Sequence, residues 1–151
     1  MRIATSGSKV DISEENLTAK FAKQFSKILR VGDVVLLHGE IGTGKTTFVK
    51  YLINSLEKQK KLNLSEITSP TFSILNEFKI KDIIFRHFDL FRIRSFKEIE
   101  NLGIFENISD SITFIEWPER IEKKIKNKFN IYFDYNSKLE KRFIEINKVK
   151  I

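Results

Sequence analysis

Cysteine is absent from this chain of 151 residues, which excludes disulfide bonds and metal sites built from thiolates. The sequence also lacks a run of about 20 apolar residues, which a membrane-spanning helix needs, and the apolar stretch of a signal peptide. We therefore expect a cytoplasmic protein that does not contact a membrane. Proline is scarce, with two residues, and no linker divides the chain. A single domain over residues 1–151 is predicted.

Acidic residues are fewer than basic ones, with 20 Asp and Glu against 27 Lys and Arg, so the formal net charge is +7. Such a charge raises the possibility of an acidic partner such as RNA. The lysines are spread over several segments and do not form one stripe with interleaved aromatic residues. Solvated surfaces are therefore the favoured interpretation of the charge.

Glycine is also uncommon, with six residues in all, yet three fall within Gly39 to Thr46, which reads GEIGTGKT. This spacing of Gly, Gly, Lys and Thr is that of a phosphate-binding loop. An apolar run at 33–37 predicts a buried parallel strand before it, and the apolar spacing in 46–56 predicts a helix after it. The sequence therefore predicts a nucleoside triphosphate site, formed by backbone N–H groups at a helix start.

Two side chains of the loop suit particular tasks. The ammonium of Lys45 can reach the terminal phosphates, and the hydroxyl of Thr46 can ligate Mg²⁺. The side chains of Thr43 and Thr47 are either ligand contacts or ordinary polar groups. The residues expected to contact the nucleotide through the loop are Glu40, Ile41, Gly42, Thr43, Gly44, Lys45, Thr46 and Thr47.

The rest of the chain predicts an α/β fold. A helix is expected from an N-cap at Ser13 to near Gly32. Later elements are a hairpin (72–79 and 83–91), a helix (95–102), a strand (111–116), a helix (118–128) and two closing strands (130–135 and 142–149). This order predicts a P-loop NTPase-like three-layer fold, with a mixed parallel and antiparallel sheet flanked by helices.

Two acidic residues end apolar strands and are candidates for the hydrolytic site. Asp89 follows the segment 83–88, and Glu116 follows the segment 112–115. Hydrolysis needs a carboxylate to hold Mg²⁺ or to orient water, and ligands bind at the carboxyl ends of parallel strands. Each acid is either such a group or a surface residue. His87 could be a base, but a packed core histidine is favoured, and Trp117 either stacks on a base or fills the core edge.

Five segments occur in an order that resembles the bacterial TsaE family, also called YjeE. They are HGEIGTGKTTFVK (38–50), SPTFSILNEF (69–78), HFDLFRI (87–93), EIENLGIFE (98–106) and IEWPER (115–120). Members of that family are small ATPases required for threonylcarbamoyladenosine formation in tRNA. The resemblance covers nearly the whole chain, and the last four segments are more specific than the phosphate loop.

The resemblance implies a role for each candidate residue. Lys45 would bind phosphates, Thr46 would ligate Mg²⁺, Glu116 would be an acid on the metal side, and Asp89 would be a second acid needed for hydrolysis. Thr71 would lie in a switch-like segment near the terminal phosphate.

The resemblance also places Trp117 near the nucleotide, and the start of the first helix and residues 133–135 near adenine. Phe91 departs from the family, which commonly has Tyr there, so one hydrogen bond is in doubt.

The resemblance further implies ATP and Mg²⁺ as cofactors and the TsaB and TsaD proteins as partners. The modification concerns position 37 of tRNAs that read codons beginning with A, with tRNA contacted indirectly through the complex. ATP hydrolysis is expected to be weak without the partners. Two alternatives stay open, a small nucleotide kinase and a nucleotide-gated binding module that does not hydrolyse ATP.

Overall fold

The computed structural model describes residues 9–121, 125, 128–136, 138 and 141–149. Its strands are β1 (Lys9–Asp11), β2 (Val34–His38), β3 (Leu75–Ile80), β4 (Ile83–Asp89), β5 (Ser111–Glu116), β6 (Lys128–Tyr135) and β7 (Arg142–Val149). Its α-helices are α1 (Glu15–Ser26), α2 (Lys45–Gln59) and α3 (Phe96–Asn101), with short 3₁₀ helices at Ile108–Asp110 and Pro118–Arg120. Within these ranges, no helix is both long and apolar enough to cross a membrane.

The seven strands follow the order β1, β7, β6, β2, β5, β4, β3 across one sheet. Strand β5 pairs in parallel with β2 and β4, whereas the β3–β4 and β1–β7 pairs are antiparallel. The predicted mixed sheet with accompanying helices is confirmed.

The described residues fall into two compact units. The first unit takes its residues from 1–29, 38–68 and 131–147, and the second unit takes its residues from 30–37, 69–130 and 148–151. The predicted phosphate loop belongs to the first unit. Thr71, Asp89, Glu116 and Trp117 belong to the second unit.

Aromatic rings form the centre of the first unit. Phe21 and Phe25, one turn apart on α1, each lie with their ring centroid 5.7 Å from that of Phe48 on α2. The Phe48 ring in turn contacts that of Phe133 on β6, with the centroids 5.8 Å apart. All four side chains are at most 3% exposed, so burial of their apolar area fixes the first turn of α2, and with it the end of the phosphate loop.

Successive side chains alternate between the two faces of a strand, and in β2, β4 and β5 nearly all of them are buried, so these strands are covered on both faces. One face packs against α3 and the residues around it through Val34, Leu36, Phe88 and Ile115. The other face carries the side chains that alternate with these along each strand. Across β2, β5 and β4, Leu37, Glu116 and Asp89 lie in register, so the carboxyl ends of these three strands coincide.

A buried arginine secures the loop after α3 to this sheet. The Arg86 guanidinium donates to the carbonyls of Gly103 at 3.1 Å and Ile104 at 2.6 Å. Burial lowers the pKa of Arg86, while Glu77 and Glu106 oppose that shift. The side chain ties β4 to a loop that has no strand partner of its own.

Several predicted boundaries were wrong. Ser13 is not the N-cap of α1, because Glu14 occupies that position and the Ser13 hydroxyl donates to Asp11. The helix α1 also ends at Ser26, before the expected Gly32. Of the helix expected over 118–128, the first residues Pro118–Arg120 form a 3₁₀ turn and Lys128 already belongs to β6, while residues 122–124 and 126–127 lie outside the described residues.

Candidate nucleotide-binding site

The phosphate loop follows β2 and adopts a backbone that suits glycine. Gly39, Gly42 and Gly44 have φ values of +142°, +78° and +107°. A Cβ on Gly39 would meet the Phe133 carbonyl oxygen at 2.6 Å, so no larger residue fits there. Gly44 is the residue before α2 and has no side chain to cap it. The start of α2 therefore has the form that phosphate-binding helix ends take.

Lys45 points into the loop. Its ammonium donates to the carbonyls of Gly39 and Glu40, the latter at 2.9 Å, and the residue is 6% exposed. Phosphate oxygens are stronger acceptors for an ammonium than peptide carbonyls, because they carry negative charge. In this structure the carbonyls of Gly39 and Glu40 hold the ammonium at the loop.

Two further hydrogen bonds stabilise the conformation of the phosphate loop. The Thr43 hydroxyl donates to the Glu40 carbonyl at 2.8 Å, so its side chain supports the loop conformation. The Tyr135 hydroxyl on β6 donates to the Gly42 carbonyl, and the Arg142 guanidinium lies over the Tyr135 ring, 5.6 Å from its centroid. The sequence did not predict the contact of Tyr135 with the loop, because no motif joins residues so far apart in the chain.

A polar cavity of about 240 Å³ lies beside the end of the loop. The Glu15 carboxylate in it accepts a hydrogen bond from the Tyr51 hydroxyl, which raises the pKa of Tyr51. The residues that line the cavity are Ile12, Ser13, Glu15, Thr18, Gly44, Thr47 and Arg142. The lining of this cavity beside the loop thus offers both hydrogen-bond donors and acceptors.

In the second unit, the structure brings Thr71 and Asp89 together. The Thr71 hydroxyl donates to Asp89 Oδ2 at 2.8 Å, and the Phe91 N–H donates to Asp89 Oδ1 at 2.9 Å. The Asp89 side chain is buried, with 4% of the residue exposed. Ser69 is hydrogen-bonded to Thr71 at 2.6 Å. Both carboxylate oxygens of Asp89 therefore have protein donors.

The segment that carries Thr71 ends in a strained residue. Ile74 has φ of +69°, an unfavourable conformation for a β-branched side chain. Its N–H donates to the Pro70 carbonyl at 2.6 Å, and its own carbonyl accepts from the Asp89 N–H at 2.9 Å. These bonds offset the strain and fix the Thr71 segment against β4.

Glu116 lies beside Asp89, as the two residues are paired at the ends of β5 and β4. It is 2% exposed, and its carbonyl accepts from the Leu90 N–H at 3.1 Å. Trp117 then adopts the left-handed conformation, with φ of +57°, and its ring lies 5.0 Å from that of Phe91. The two acids are therefore buried neighbours at the ends of adjacent strands, and neither is the surface residue that the sequence left as an alternative.

Metal binding stays a prediction. Over the part of the chain that the structure describes, no group of three or more His, Cys, Asp or Glu side chains is arranged to hold a metal ion. Thr46, Asp89 and Glu116 remain the predicted oxygen ligands.

Comparisons with known proteins agree with the resemblance seen in the sequence. The family model described as "Threonylcarbamoyl adenosine biosynthesis protein TsaE" matches residues 12–144. The tRNA threonylcarbamoyladenosine biosynthesis protein TsaE of Rickettsia bellii is 36% identical over 115 residues, which cover 76% of this chain and 77% of the relative. The protein of the same name from Aquifex aeolicus is 36% identical over 112 residues, covering 74% of this chain and 77% of the relative.

A solved structure, that of Bacillus subtilis YdiB, shares the fold. It superposes with a TM-score of 0.69 over 92% of this chain and 84% of that chain, at 23% identity. With the family match and the curated relatives, the conclusion is that the chain belongs to the TsaE family and is a tRNA threonylcarbamoyladenosine biosynthesis protein.

Proposed function

We propose that this chain binds ATP with Mg²⁺ and hydrolyses it, in concert with TsaB and TsaD, to sustain threonylcarbamoyladenosine formation in tRNAs that read codons beginning with A. The observation that carries the proposal is the phosphate loop, in which three glycines have positive φ and the Lys45 ammonium is held at the loop carbonyls. Such a loop suits a polyphosphate because its backbone donors and its lysine supply positive charge at one place.

The polar cavity beside Gly44 and Thr47 supports a nucleoside position next to the phosphates. Its volume, about 240 Å³, and its mixed lining of Glu15, Arg142 and hydroxyl groups suit a base or ribose that offers both donors and acceptors. We assign this cavity to the nucleoside of ATP. Trp117 is a further candidate contact carried over from the family.

For hydrolysis, the oxygen chemistry of Thr46, Asp89 and Glu116 suits Mg²⁺, which prefers hard oxygen ligands. When bound, the ion would neutralise charge that develops on the phosphates. Glu116 would act on the metal side. Asp89 would orient the attacking water, and Thr71 would fix the Asp89 carboxylate through the bond at 2.8 Å.

The hydrogen bonds and burial of Asp89 support slow ATP hydrolysis by the isolated chain. Both of its carboxylate oxygens accept hydrogen bonds from within the protein, and the residue is 4% exposed. Each carboxylate oxygen keeps a second lone pair for water, but the Thr71 hydroxyl and the Phe91 N–H fix the orientation of the Asp89 carboxylate. We propose that docking of the TsaB–TsaD pair changes that orientation toward the attacking water.

ATP turnover measured with and without TsaB and TsaD tests this proposal. We expect the partners to raise the rate by about tenfold or more. Equal rates in both conditions would contradict partner dependence. A screen of phosphoryl acceptors in the same assay distinguishes the proposed ATPase from a kinase, because a kinase would consume ATP in response to one acceptor.

Two variants separate binding from hydrolysis. Lys45→Ala should abolish measurable ATP binding, because it removes the only side-chain cation of the loop motif. Glu116→Ala should keep ATP affinity within about threefold and lose most of the hydrolysis. If Glu116→Ala and Asp89→Asn instead left tRNA modification intact while Lys45 stayed essential, a binding module without useful hydrolysis would be the correct function.

A further inference from the structure

His87 is a fully buried histidine that the proposed chemistry does not use. Its exposed fraction is 0%, and neither ring nitrogen has a hydrogen-bond partner among the described residues. A neutral imidazole has one N–H donor and one bare nitrogen, and burial of both without partners is unfavourable. A group close enough to accept the ring N–H would therefore determine what the side chain does.

That group is the carboxylate of Glu116. Nε2 of His87 lies 3.7 Å from Oε1 of Glu116, and the two side chains are 0% and 3% exposed. The separation is longer than a good hydrogen bond by roughly half an ångström. A small rotation of either side chain closes such a gap, and the buried surroundings strengthen the contact once it forms.

The strand register places the two residues on one face of the sheet. His87 on β4 is paired with Phe114 on β5, two residues before Glu116, while Asp89 is paired with Glu116 itself. Side chains two residues apart on a strand point the same way. His87 therefore lies one pleat further from the strand ends than the two acids, directly behind them.

We propose that His87 is a positioning residue for Glu116, with the Nε2–H group donating to the Glu116 carboxylate and fixing its orientation. A donor at this place would hold the Glu116 carboxylate in one orientation at the end of β5. The consequence for hydrolysis rests on the proposed function of Glu116. The contact itself does not.

Nuclear magnetic resonance of the imidazole nitrogens in the nucleotide-free protein tests the contact directly. The chain has two histidines, so His38 serves as the internal reference. We expect the Nε2–H tautomer for His87, and a shift of its ring signals, but not those of His38, in Glu116→Gln. The Nδ1–H tautomer, or His87 signals that ignore this substitution, would overturn the proposal.

A pair of variants tests the consequence for catalysis. His87→Leu removes the donor, whereas His87→Gln places an amide N–H close to the position of Nε2. We expect His87→Leu to lower kcat for partner-stimulated ATP hydrolysis about tenfold with KM within about twofold, and His87→Gln to recover at least half of the loss on a logarithmic scale. Equal rates for His87→Leu and the unchanged protein, or no rescue by His87→Gln, would overturn the proposal.

The two experiments fail independently. If the unchanged protein hydrolyses no ATP, the proposed function falls while the tautomer of His87 still decides the contact. If His87→Leu does not fold, the tautomer of His87 and the ATP hydrolysis rate of His87→Gln decide whether the proposal holds.

Discussion

At the scale of single residues, the Thr71 hydroxyl is the group that most directly controls a predicted catalytic side chain. It donates to Asp89 Oδ2 at 2.8 Å, while the Phe91 N–H occupies the other oxygen at 2.9 Å. The backbone donor is fixed by the chain. Of these two donors, only the Thr71 hydroxyl can be removed by a side-chain substitution.

Replacing Thr71 tests that control. Thr71→Val keeps the shape of the side chain and removes the donor, so we expect ATP hydrolysis with TsaB and TsaD to fall by about tenfold to a hundredfold, with ATP affinity within about threefold. Thr71→Ser retains the hydroxyl and serves as the matched control. Steady-state turnover measures both, and a Val variant as active as the Ser variant would show that Thr71 does not orient Asp89.

The Tyr135 hydroxyl allows a second test at this scale, because it donates to the Gly42 carbonyl of the phosphate loop. We expect Tyr135→Phe to weaken ATP binding by about threefold to tenfold, since the loss of one hydrogen bond of about 1 kcal/mol loosens the loop. Tyr132→Phe is the control, as Tyr132 stacks on His38 and is partly exposed. Titration with a fluorescent ATP analogue measures the affinity, and equal affinities for the two variants would rule out the loop contact as a binding determinant.

At the scale of elements, the last turn of α2 is anchored by a buried acid. The Glu57 carboxylate accepts from the Asn54 amide at 2.9 Å and from the Ser65 hydroxyl at 2.6 Å, and the Ser65 N–H also lies within hydrogen-bond distance of it. The residue is 5% exposed. These bonds hold the segment after α2 against the helix.

Glu57→Gln tests this anchor. An amide can accept at one atom only, so part of the donor set loses its partner, and we expect the free energy of unfolding to fall by about 1–3 kcal/mol. Glu66→Gln, an exposed position in the same segment, should change it by less than about 0.5 kcal/mol. Urea unfolding measures both variants. Equal stability of the two would mean that Glu57 does not anchor the segment.

Element types were predictable where local chemistry agreed with tertiary packing. Ser95 caps α3 by accepting from the Glu98 N–H at 3.3 Å, and β5 begins and ends at the predicted residues. The helix predicted from Pro118 starts as a 3₁₀ turn over Pro118–Arg120, and most of the remaining residues of that prediction lie outside the described residues. Strand β1 has three residues and depends on pairing with β7, a partner that local sequence cannot reveal.

At the scale of the whole molecule, the sequence identified those candidate site residues that belong to a motif or end a strand. The loop pattern located Lys45 and Thr46, and the strand ends located Asp89 and Glu116, which the register confirms as neighbours. The contacts of Tyr135 and His87 were not predictable, since each joins single residues from distant segments without a motif. The family model matches residues 12–144, which include the residues found by motif and also Tyr135 and His87.

Formation of threonylcarbamoyladenosine on tRNA over many turnovers tests the central claim, that ATP hydrolysis by this chain sustains the modification. The measurement uses purified TsaB and TsaD, excess tRNA and either the unchanged chain or Asp89→Asn, which should still bind ATP. We predict that the unchanged chain supports continued modification and that Asp89→Asn stops after about one turnover per complex. Continued modification at the same rate with Asp89→Asn would contradict the claim.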